Sequence, residues 1–256
     1  MTSFDGTLSD SNEQANEATW WGIVGNFLLA AMKFAIGYSA ASAALIADGF
    51  HSLSDVIASS IVLVGLRIAK MPADEEHPCG HGKAEVIAAK MVSLILISIG
   101  AYTIYSGVLA VRHHVAHHPP GQLAVVAALI SIVVKEALYR YKIRIGQRTG
   151  SQALIAEAWH HRSDAFSSVV ALLAIGGAII GGSAWSFIDD IGAIVIGVVI
   201  AWMGLTLFLK SARELLDIVV IGKPVENVRR CGESISEVKK IEKVYVRKAG
   251  LDLLVD

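Results

Sequence analysis

The sequence predicts an all-α membrane protein: six transmembrane helices in two inverted three-helix repeats, then a short, incomplete α/β cytoplasmic C-terminal domain. Composition is the first observation that predicts it. Of the 256 residues, 54% are hydrophobic and only 18% are charged, whereas about 25% of the residues of a soluble domain are charged. The second observation is the presence of six long apolar segments, and the third is a motif that occurs in two of them.

Each of the six apolar segments is long enough to cross a bilayer, which takes about 20 residues. The stretches between them carry the proline, glycine and charge signals of loops. The segments run over 20–38, 43–68, 86–111, 123–141, 153–181 and 187–209. We therefore divide the chain into a mobile acidic tail (1–18), a six-helix transmembrane domain (19–212) and a partial cytoplasmic domain (213–256). The tail lacks the basic region and apolar core of a signal peptide.

Basic residues in the loops predict the orientation. One side has only Arg112, and the other has the loops after the second and fourth segments and the end of the sixth. By the positive-inside rule the basic side is cytoplasmic, so we expect a multi-pass protein of the cell membrane with both termini in the cytoplasm. The residues on this side are Arg67, Lys70, Lys83, Arg140, Lys142, Arg144, Arg148, Lys210 and Arg213.

A duplicated motif lies in the second and fifth segments. It reads ALIADGFHSLSDVIAS from position 44 and ALIAEAWHHRSDAFSS from position 153, with eight of sixteen positions identical. Each copy places a histidine four residues before an aspartate, His51 with Asp55 and His160 with Asp164, and residues four apart share one face of a helix. Two imidazoles and two carboxylates suit a tetrahedral divalent metal such as zinc.

The predicted orientation makes the two copies antiparallel, which is the inverted-repeat pattern of secondary transporters with a site near the midplane. At a rise of 1.5 Å per residue, His51 and His160 both lie about 12–14 Å from the nearer end of their helices, close to the middle of the membrane. A structural alternative is that the four polar residues only tie helices together. Interhelical hydrogen bonds in membranes contribute only about 0.6 kcal/mol on average, which is a weak reason to bury two carboxylates.

Three stretches together, HSLSD, HHRSD and PADEEHPCGHGKAE, resemble those of the cation diffusion facilitator family, whose members are proton-coupled exporters of divalent metals. The resemblance covers about residues 20–250. It implies a homodimer with a transport site of His51, Asp55, His160 and Asp164. It also implies a second, cytoplasm-facing metal site formed by Asp74, His77 and His81. Near the dimer interface it implies a lysine–aspartate interlock between Lys83 and Asp217.

The cargo that the resemblance implies is Zn²⁺, with Fe²⁺, Mn²⁺, Co²⁺ or Cd²⁺ as alternatives. Some relatives have aspartate where this chain has His51, and the family associates two histidines plus two aspartates with a preference for zinc over cadmium. Magnetosome members, which are associated with iron, are similar too. Their helix-five motif often lacks the histidine found here at His160, so iron is the less favoured cargo.

Two other classes of function are compatible with a membrane protein that binds metal. An intramembrane metalloenzyme would need a general base beside a metal-bound water, but the sequence has no H-E-x-x-H, so we do not expect an enzyme. A non-transporting metal sensor or scaffold would use only the loop and tail sites. A net charge of −1 and the lack of a basic tail or stripe give no reason to expect a nucleic-acid partner.

Asp48 and Glu157 each lie one helical turn from a motif histidine. Three readings stay open for them: fixing a histidine tautomer, relaying protons, or reaching toward water. We expect His161 to be a loop-side or surface residue, because it points about 100° away from its neighbour on a helix. Lys135 and Glu136, near the end of the fourth segment, are expected at the membrane interface.

Lys33, in the first segment, is expected to face either the bundle interior or the interface. The third-to-fourth loop carries a histidine run at the predicted non-cytoplasmic mouth, to which we assign no role: His113, His114, His117 and His118.

The C-terminal segment is predicted to hold a helix opened by Pro224 and covering ENVRRCGESISEVKKI, and strands in KVYVRK and LDLLVD with a turn at Ala249–Gly250. In the family the corresponding domain is compact and metallochaperone-like, and we expect this sequence to contain only its first half. Val219 and Val220 replace a basic residue that often follows the interlock aspartate. Cys79 and Cys231, far apart in polar segments, are expected as free thiols.

Overall fold

The computed structural model describes residues 3–69, 71–112, 120–149, 152–218, 222–235, 237–238, 240–249 and 252–255. Within these ranges the chain is helical apart from its loops and one small sheet. A short 3-10 turn, Gly182–Trp185, joins the fifth helix to the sixth. The elements are α1 Ser3–Ser39, α2 Ala43–Ala69, α3 Lys83–Arg112, α4 Gln122–Thr149, α5 Gln152–Gly181, α6 Phe187–Leu215, α7 Lys223–Glu233, β1 Val246–Ala249 and β2 Asp252–Val255.

Helices α1 to α6 are all long and apolar enough to cross a membrane, with mean hydropathies of 1.3 to 2.4 over their apolar windows. Many large apolar side chains on them are exposed, including Phe166, Leu173 and Ile180. Such faces are costly in water and favourable against lipid. The predicted fold class, an all-α protein with six membrane-spanning helices, is confirmed.

Three helix boundaries differ from the prediction. Helix α4 continues to Thr149 and α6 to Leu215, so the basic residues expected in the following loops lie within these helices. Helix α1 begins at Ser3 and includes the polar stretch expected as a mobile tail. In α4 and α6 the residues past the point where hydropathy falls include lysine, arginine, glutamine and glutamate, which are good helix formers. This reason does not apply to the start of α1, which is rich in serine, aspartate and asparagine.

The chain forms two compact units. The first comprises Met1–Ile57 and Leu96–Trp202. In it, α4 packs most extensively on α5, and α1 packs on α4. Close approach depends on small residues: a Cβ added at Gly192 of α6 would lie 2.3 Å from the Cβ of Ala174 and 3.2 Å from that of Ala44. Helix α6 therefore lies against both motif-bearing helices.

The start of α2 is held by a carboxylate from α6. Ser42 donates its hydroxyl to Asp189 Oδ1 at 2.9 Å, and the backbone N–H groups of Ala43 and Ala44 donate to Asp189 Oδ2. The first N–H groups of a helix have no partner within it, and a carboxylate at this end also interacts well with the helix dipole. Asp189 thus fixes the end of the helix that carries His51.

The second unit comprises Ala58–Ile95 and Met203–Asp256. Its helix α7 has Pro224 in its first turn, as predicted, but ends at Glu233. The prediction that it continues to the end of SEVKKI was wrong, and the segment after the helix brings Ile241 against Gly232. A Cβ there would lie 2.5 Å from Ile241 Cδ1. Strands β1 and β2 pair antiparallel, with Val246 opposite Val255. Gly250, in the predicted turn, lies outside the described residues.

Candidate metal centre

The two copies of the motif bring their four polar side chains together in the first unit. His51 Nε2 lies 3.4 Å from Asp164 Oδ1, and His160 Nε2 lies 3.9 Å from Asp55 Oδ1. His160 Nε2 is also 3.5 Å from Asp164 Oδ2 on its own helix. The leading residue of each motif thus meets the trailing residue of the other. This crossed pairing is the one expected of antiparallel helices.

Three of the four side chains form a tight, buried set. One ligand atom each from His51, Asp55 and Asp164 lie within 4.8 Å of one another, and all three residues are buried. His160 lies at the edge of the set, with 46% of its side chain exposed. Such spacing permits one cation to contact several of these atoms after small side-chain rotations, because zinc–ligand bonds are about 2.0–2.2 Å long.

Several polar atoms in this set have no hydrogen-bond partner among the described residues. They are His51 Nδ1, Asp55 Oδ2 and Asp164 Oδ2, all of them buried. A buried polar group without a partner is destabilising, and an ionised carboxylate is the most costly case. A cation, whether a metal or a proton, would satisfy the carboxylate oxygens, so the donor set fits a divalent metal substrate.

A second set of possible ligands lies in the loop between α2 and α3, in the second unit. Asp74 Oδ1 is 3.1 Å from His77 Nδ1, and Asp74 Oδ2 is 3.4 Å from His81 Nε2. These three residues also bring one ligand atom each within 4.8 Å of one another. Asp74 and His77 are about half exposed, whereas His81 is 13% exposed. We call this set the loop cluster.

Hydrogen bonds orient the ligands of the loop cluster. His81 Nδ1 lies 3.2 Å from the carbonyl oxygen of Pro72, which only accepts, so Nδ1 donates to it and the ring is held with Nε2 on the side of Asp74. A second interaction of this kind commonly orients a histidine that binds a metal. The backbone N–H of His77 donates to Asp74 Oδ1 at 2.6 Å, and this bond holds the pKa of the Asp74 carboxyl below its usual value.

Comparison with known proteins identifies the family. The pattern of the cation efflux transmembrane domain matches residues 19–216. Metal tolerance protein C1 of Arabidopsis thaliana is 36% identical over 92% of this chain and 52% of its own length. The manganese efflux system protein MneP of Bacillus subtilis is 35% identical over 91% and 80% of the two chains. Magnetosome protein MamB of Magnetospira sp. is 30% identical over 94% and 81%.

The chain belongs to the cation diffusion facilitator family. It spans about half the length of the plant relative, 52%. The predicted resemblance to this family is therefore confirmed. The prediction of a multi-pass membrane protein is confirmed as well.

In this cation diffusion facilitator, Asp48 does not fix the tautomer of His51, whose Nδ1 has no hydrogen-bond partner among the described residues, and the proton-relay reading of Asp48 stays a prediction. Its carboxylate is bound by Lys33 Nζ at 2.7 Å and by the hydroxyls of Ser167 and Ser168, each at 2.7 Å. Asp48 is fully buried, so the reading in which it reaches toward water was wrong. Lys33 faces the interior, where it also donates to Ser52 Oγ at 2.9 Å.

Two further expectations about this facilitator were wrong. His161 is buried, not on the surface, and its Nε2 lies 2.8 Å from Lys142 Nζ. Lys142, expected in a loop, is a fully buried residue of α4 that pairs with Glu157. Gly22 of α1 leaves space for this lysine, since a Cβ at Gly22 would lie 2.2 Å from Lys142 Nζ.

Lys135 was also misplaced, since it is fully buried in α4 and not interfacial. The sequence did carry a signal for it and for Lys33, because a lysine within a spanning segment marks a functional or structural site. What the sequence could not give was the partner of either lysine. The histidine run at 113–118 lies outside the described residues.

The interlock residues of the family are in contact in the second unit. Lys83 Nζ lies 2.9 Å from Asp217 Oδ1, and Arg247 Nη1 of β1 lies 3.2 Å from Asp217 Oδ2. The hydrogen bond from Lys83 lowers the pKa of the Asp217 carboxyl. Arg247 thus provides the second basic partner in a chain that has valines where relatives often have a basic residue. Cys79 and Cys231 are both free, as expected.

Proposed function

We propose that the chain exports divalent metal cations from the cytoplasm in exchange for protons, with zinc as its main cargo. The four residues of the two motifs, His51, Asp55, His160 and Asp164, would hold the metal. The observation that carries this proposal is the crossed, buried donor set with unpartnered carboxylate oxygens. Family membership supports transport, and the balance of two nitrogens and two oxygens supports zinc, which accepts both in a tetrahedral site.

Proton exchange follows from the ligand chemistry. A histidine or a carboxylate binds metal only in its deprotonated form, so metal and protons compete for the same atoms. Histidine is the side chain that ordinarily changes charge near neutral pH. Metal entering from the cytoplasm would displace protons inward, and protons arriving from the other side would displace the metal outward. An inward proton gradient then drives export.

The loop cluster is proposed as a second metal site that faces the cytoplasm. Its three ligands leave one position open, which suits a site that exchanges metal. The positive-inside rule supports this orientation and cytoplasmic termini. We further propose a homodimer, in which the Lys83–Asp217 pair lies near the interface and the membrane helices contribute contacts. A strictly monomeric particle in mild detergent, measured by light scattering, would contradict the dimer.

Manganese is the second candidate cargo. It is favoured by the 35% identity to MneP, whose name describes manganese efflux, over 80% of that protein. Manganese prefers carboxylate and other oxygen ligands, whereas imidazole nitrogen suits zinc better. A site with two histidines therefore leads us to place zinc first.

Proteoliposomes containing the purified chain test the proposal. They would carry a metal-sensitive dye and a pH dye inside, and zinc and manganese would be added outside in parallel experiments. We expect zinc uptake with proton movement in the opposite direction, faster than manganese uptake. Asp164→Ala protein, reconstituted at equal density, is the control and should show neither signal. Equal flux in the two preparations would reject the proposed site. A manganese flux above the zinc flux would make manganese the main cargo and zinc the second candidate.

A further inference from the structure

Lys135 is a buried cation beside the candidate transport site. It is fully buried in α4, and its Nζ donates to the backbone carbonyl oxygen of Asp164 at 2.9 Å. Ser167 Oγ, which donates to Asp48, lies 2.7 Å from the same carbonyl. The ammonium group therefore contacts the backbone of a proposed metal ligand but not its carboxylate.

The other buried lysines of this unit differ in one respect. Lys33 is paired with Asp48 at 2.7 Å, and Lys142 is paired with Glu157. Among the ion pairs of the described residues, Lys135 has no carboxylate partner within 4.0 Å. Its charge acts at longer range on Asp55 and Asp164. An ammonium group in a membrane interior requires a nearby negative charge, and the metal-binding carboxylates provide it.

Lys135 changes the net charge of the site in both its empty and its metal-loaded state. With neutral histidines, two carboxylates alone would carry a charge of about −2 when empty and 0 when loaded with a divalent cation. A low-dielectric interior penalises net charge, so such a site would strongly favour the loaded state. Lys135 changes these values to about −1 and +1, which are equal in magnitude. The Lys33–Asp48 pair is neutral and leaves them unchanged.

We propose that Lys135 is an internal competitor of the transported metal. Its positive charge lowers the affinity of the site for a divalent cation and balances Asp55 and Asp164 after the metal has left. This inference rests on the proposed function. It makes Lys135 a residue that sets affinity and release without binding the metal.

Equilibrium zinc binding to the purified full chain tests this role without measuring transport. All proteins would carry His81→Ala to remove the loop cluster, and binding would be followed by calorimetry with zinc alone. Asp164→Ala in the same background identifies the heat that belongs to the buried site. Lys135→Gln keeps a hydrogen-bond donor for the Asp164 carbonyl but removes the charge, whereas Lys135→Arg keeps the charge.

We expect Lys135→Gln to bind zinc at least about tenfold more tightly, a difference of about 1.4 kcal/mol. Lys135→Arg should bind like the wild-type side chain. If the arginine variant does not fold, the glutamine variant decides by itself. A double variant, Lys33→Met with Asp48→Leu, is the matched control, because it removes a buried ammonium together with its own carboxylate. Its affinity should change by no more than about twofold.

Unchanged or weaker binding by Lys135→Gln would overturn the proposal, since the lysine would then act only by positioning Asp164. Tighter binding by Lys135→Arg would overturn it as well, because the charge is retained. If the protein with Lys135 intact shows no zinc binding that depends on Asp164, the proposed function itself fails. These results distinguish the two claims.

Discussion

The buried motif residues and the loop cluster contain the same kinds of ligand in opposite surroundings. The buried set lies on two long helices, is closed to solvent at three of its four residues, and has carboxylate oxygens without hydrogen-bond partners among the described residues. The loop cluster is half exposed at two of its three residues, and hydrogen bonds hold both the Asp74 carboxylate and the His81 ring.

The difference indicates how strongly each set depends on a cation. A solvated cluster with satisfied hydrogen bonds is stable without metal, because water screens its charges. A buried set with unpartnered carboxylates is destabilised until a metal or a proton enters. The proposed exchange of metal for protons requires the second situation, in which two kinds of cation replace each other. The predictions below test this contrast, beginning with the largest expected effect.

Removing a buried carboxylate should have the largest effect. In Asp55→Ala or Asp164→Ala the site keeps three ligands, and we expect transport to be abolished and zinc affinity to fall by about 100-fold or more. Both proteins should still insert in the membrane, since no spanning segment is interrupted. Asp74→Ala is the matched control, with one carboxylate removed from the loop cluster. Flux at the wild-type level in either buried variant would contradict the four-ligand site.

Changing one buried ligand should alter selectivity. His51→Asp replaces a borderline nitrogen by a hard oxygen, and family members with aspartate at this position lead us to expect better handling of cadmium relative to zinc. Competition uptake with both metals, in one reconstituted preparation, gives the ratio of the two fluxes. His77→Asp makes the same change in the loop cluster and should leave this ratio as it is. An unchanged ratio in His51→Asp would mean that His51 is not a ligand.

Protons should compete at the buried site. Each proton displaced by zinc weakens binding by up to about tenfold per unit fall in pH, and the dependence should fade above the histidine pKa. Calorimetry in buffers of different ionisation enthalpy, on protein with His81→Ala, counts the protons released. We expect one or two between about pH 6 and 7. A count near zero would reject proton exchange through these histidines.

The smallest effect is expected at the Lys83–Asp217 pair. The lowered pKa of Asp217 means that its ionised form is favoured in the folded protein. The contribution of the ion pair to the stability of the fold is therefore complete above the ordinary aspartate pKa, about 3.9. It is lost as pH falls through the lower pKa that Asp217 has in the folded protein. Lys83→Met should lower Tm slightly at pH 7, and the difference should vanish in acid. Exposed Arg230→Met is the control. A Tm difference that persists below both pKa values would exclude this ion pair as its cause.

Much of the fold was predictable from the sequence because each helix must satisfy its own backbone hydrogen bonds in lipid. The apolar segments at 43–68 and 187–209 lie within α2 and α6. The pairing of histidine and aspartate within each copy of the motif was also predictable, since residues four apart lie on the same face of a helix. Whether the four motif residues bind metal stays a prediction. The ends of α4 and α6 were missed because charged helix formers extend a helix beyond its apolar part.

The sequence by itself determined the six apolar helices, the two His–Asp pairs and the family. Only the tertiary structure decided that Asp48 pairs with Lys33, that His161 contacts Lys142, and that Lys135 reaches the backbone of Asp164 and not a carboxylate. The reason is physical. Contacts within one helix follow from a fixed rise and turn, whereas Lys135 and Asp164, 29 residues apart, meet only because α4 and α5 pack closely, and packing distances depend on side chains from several helices at once.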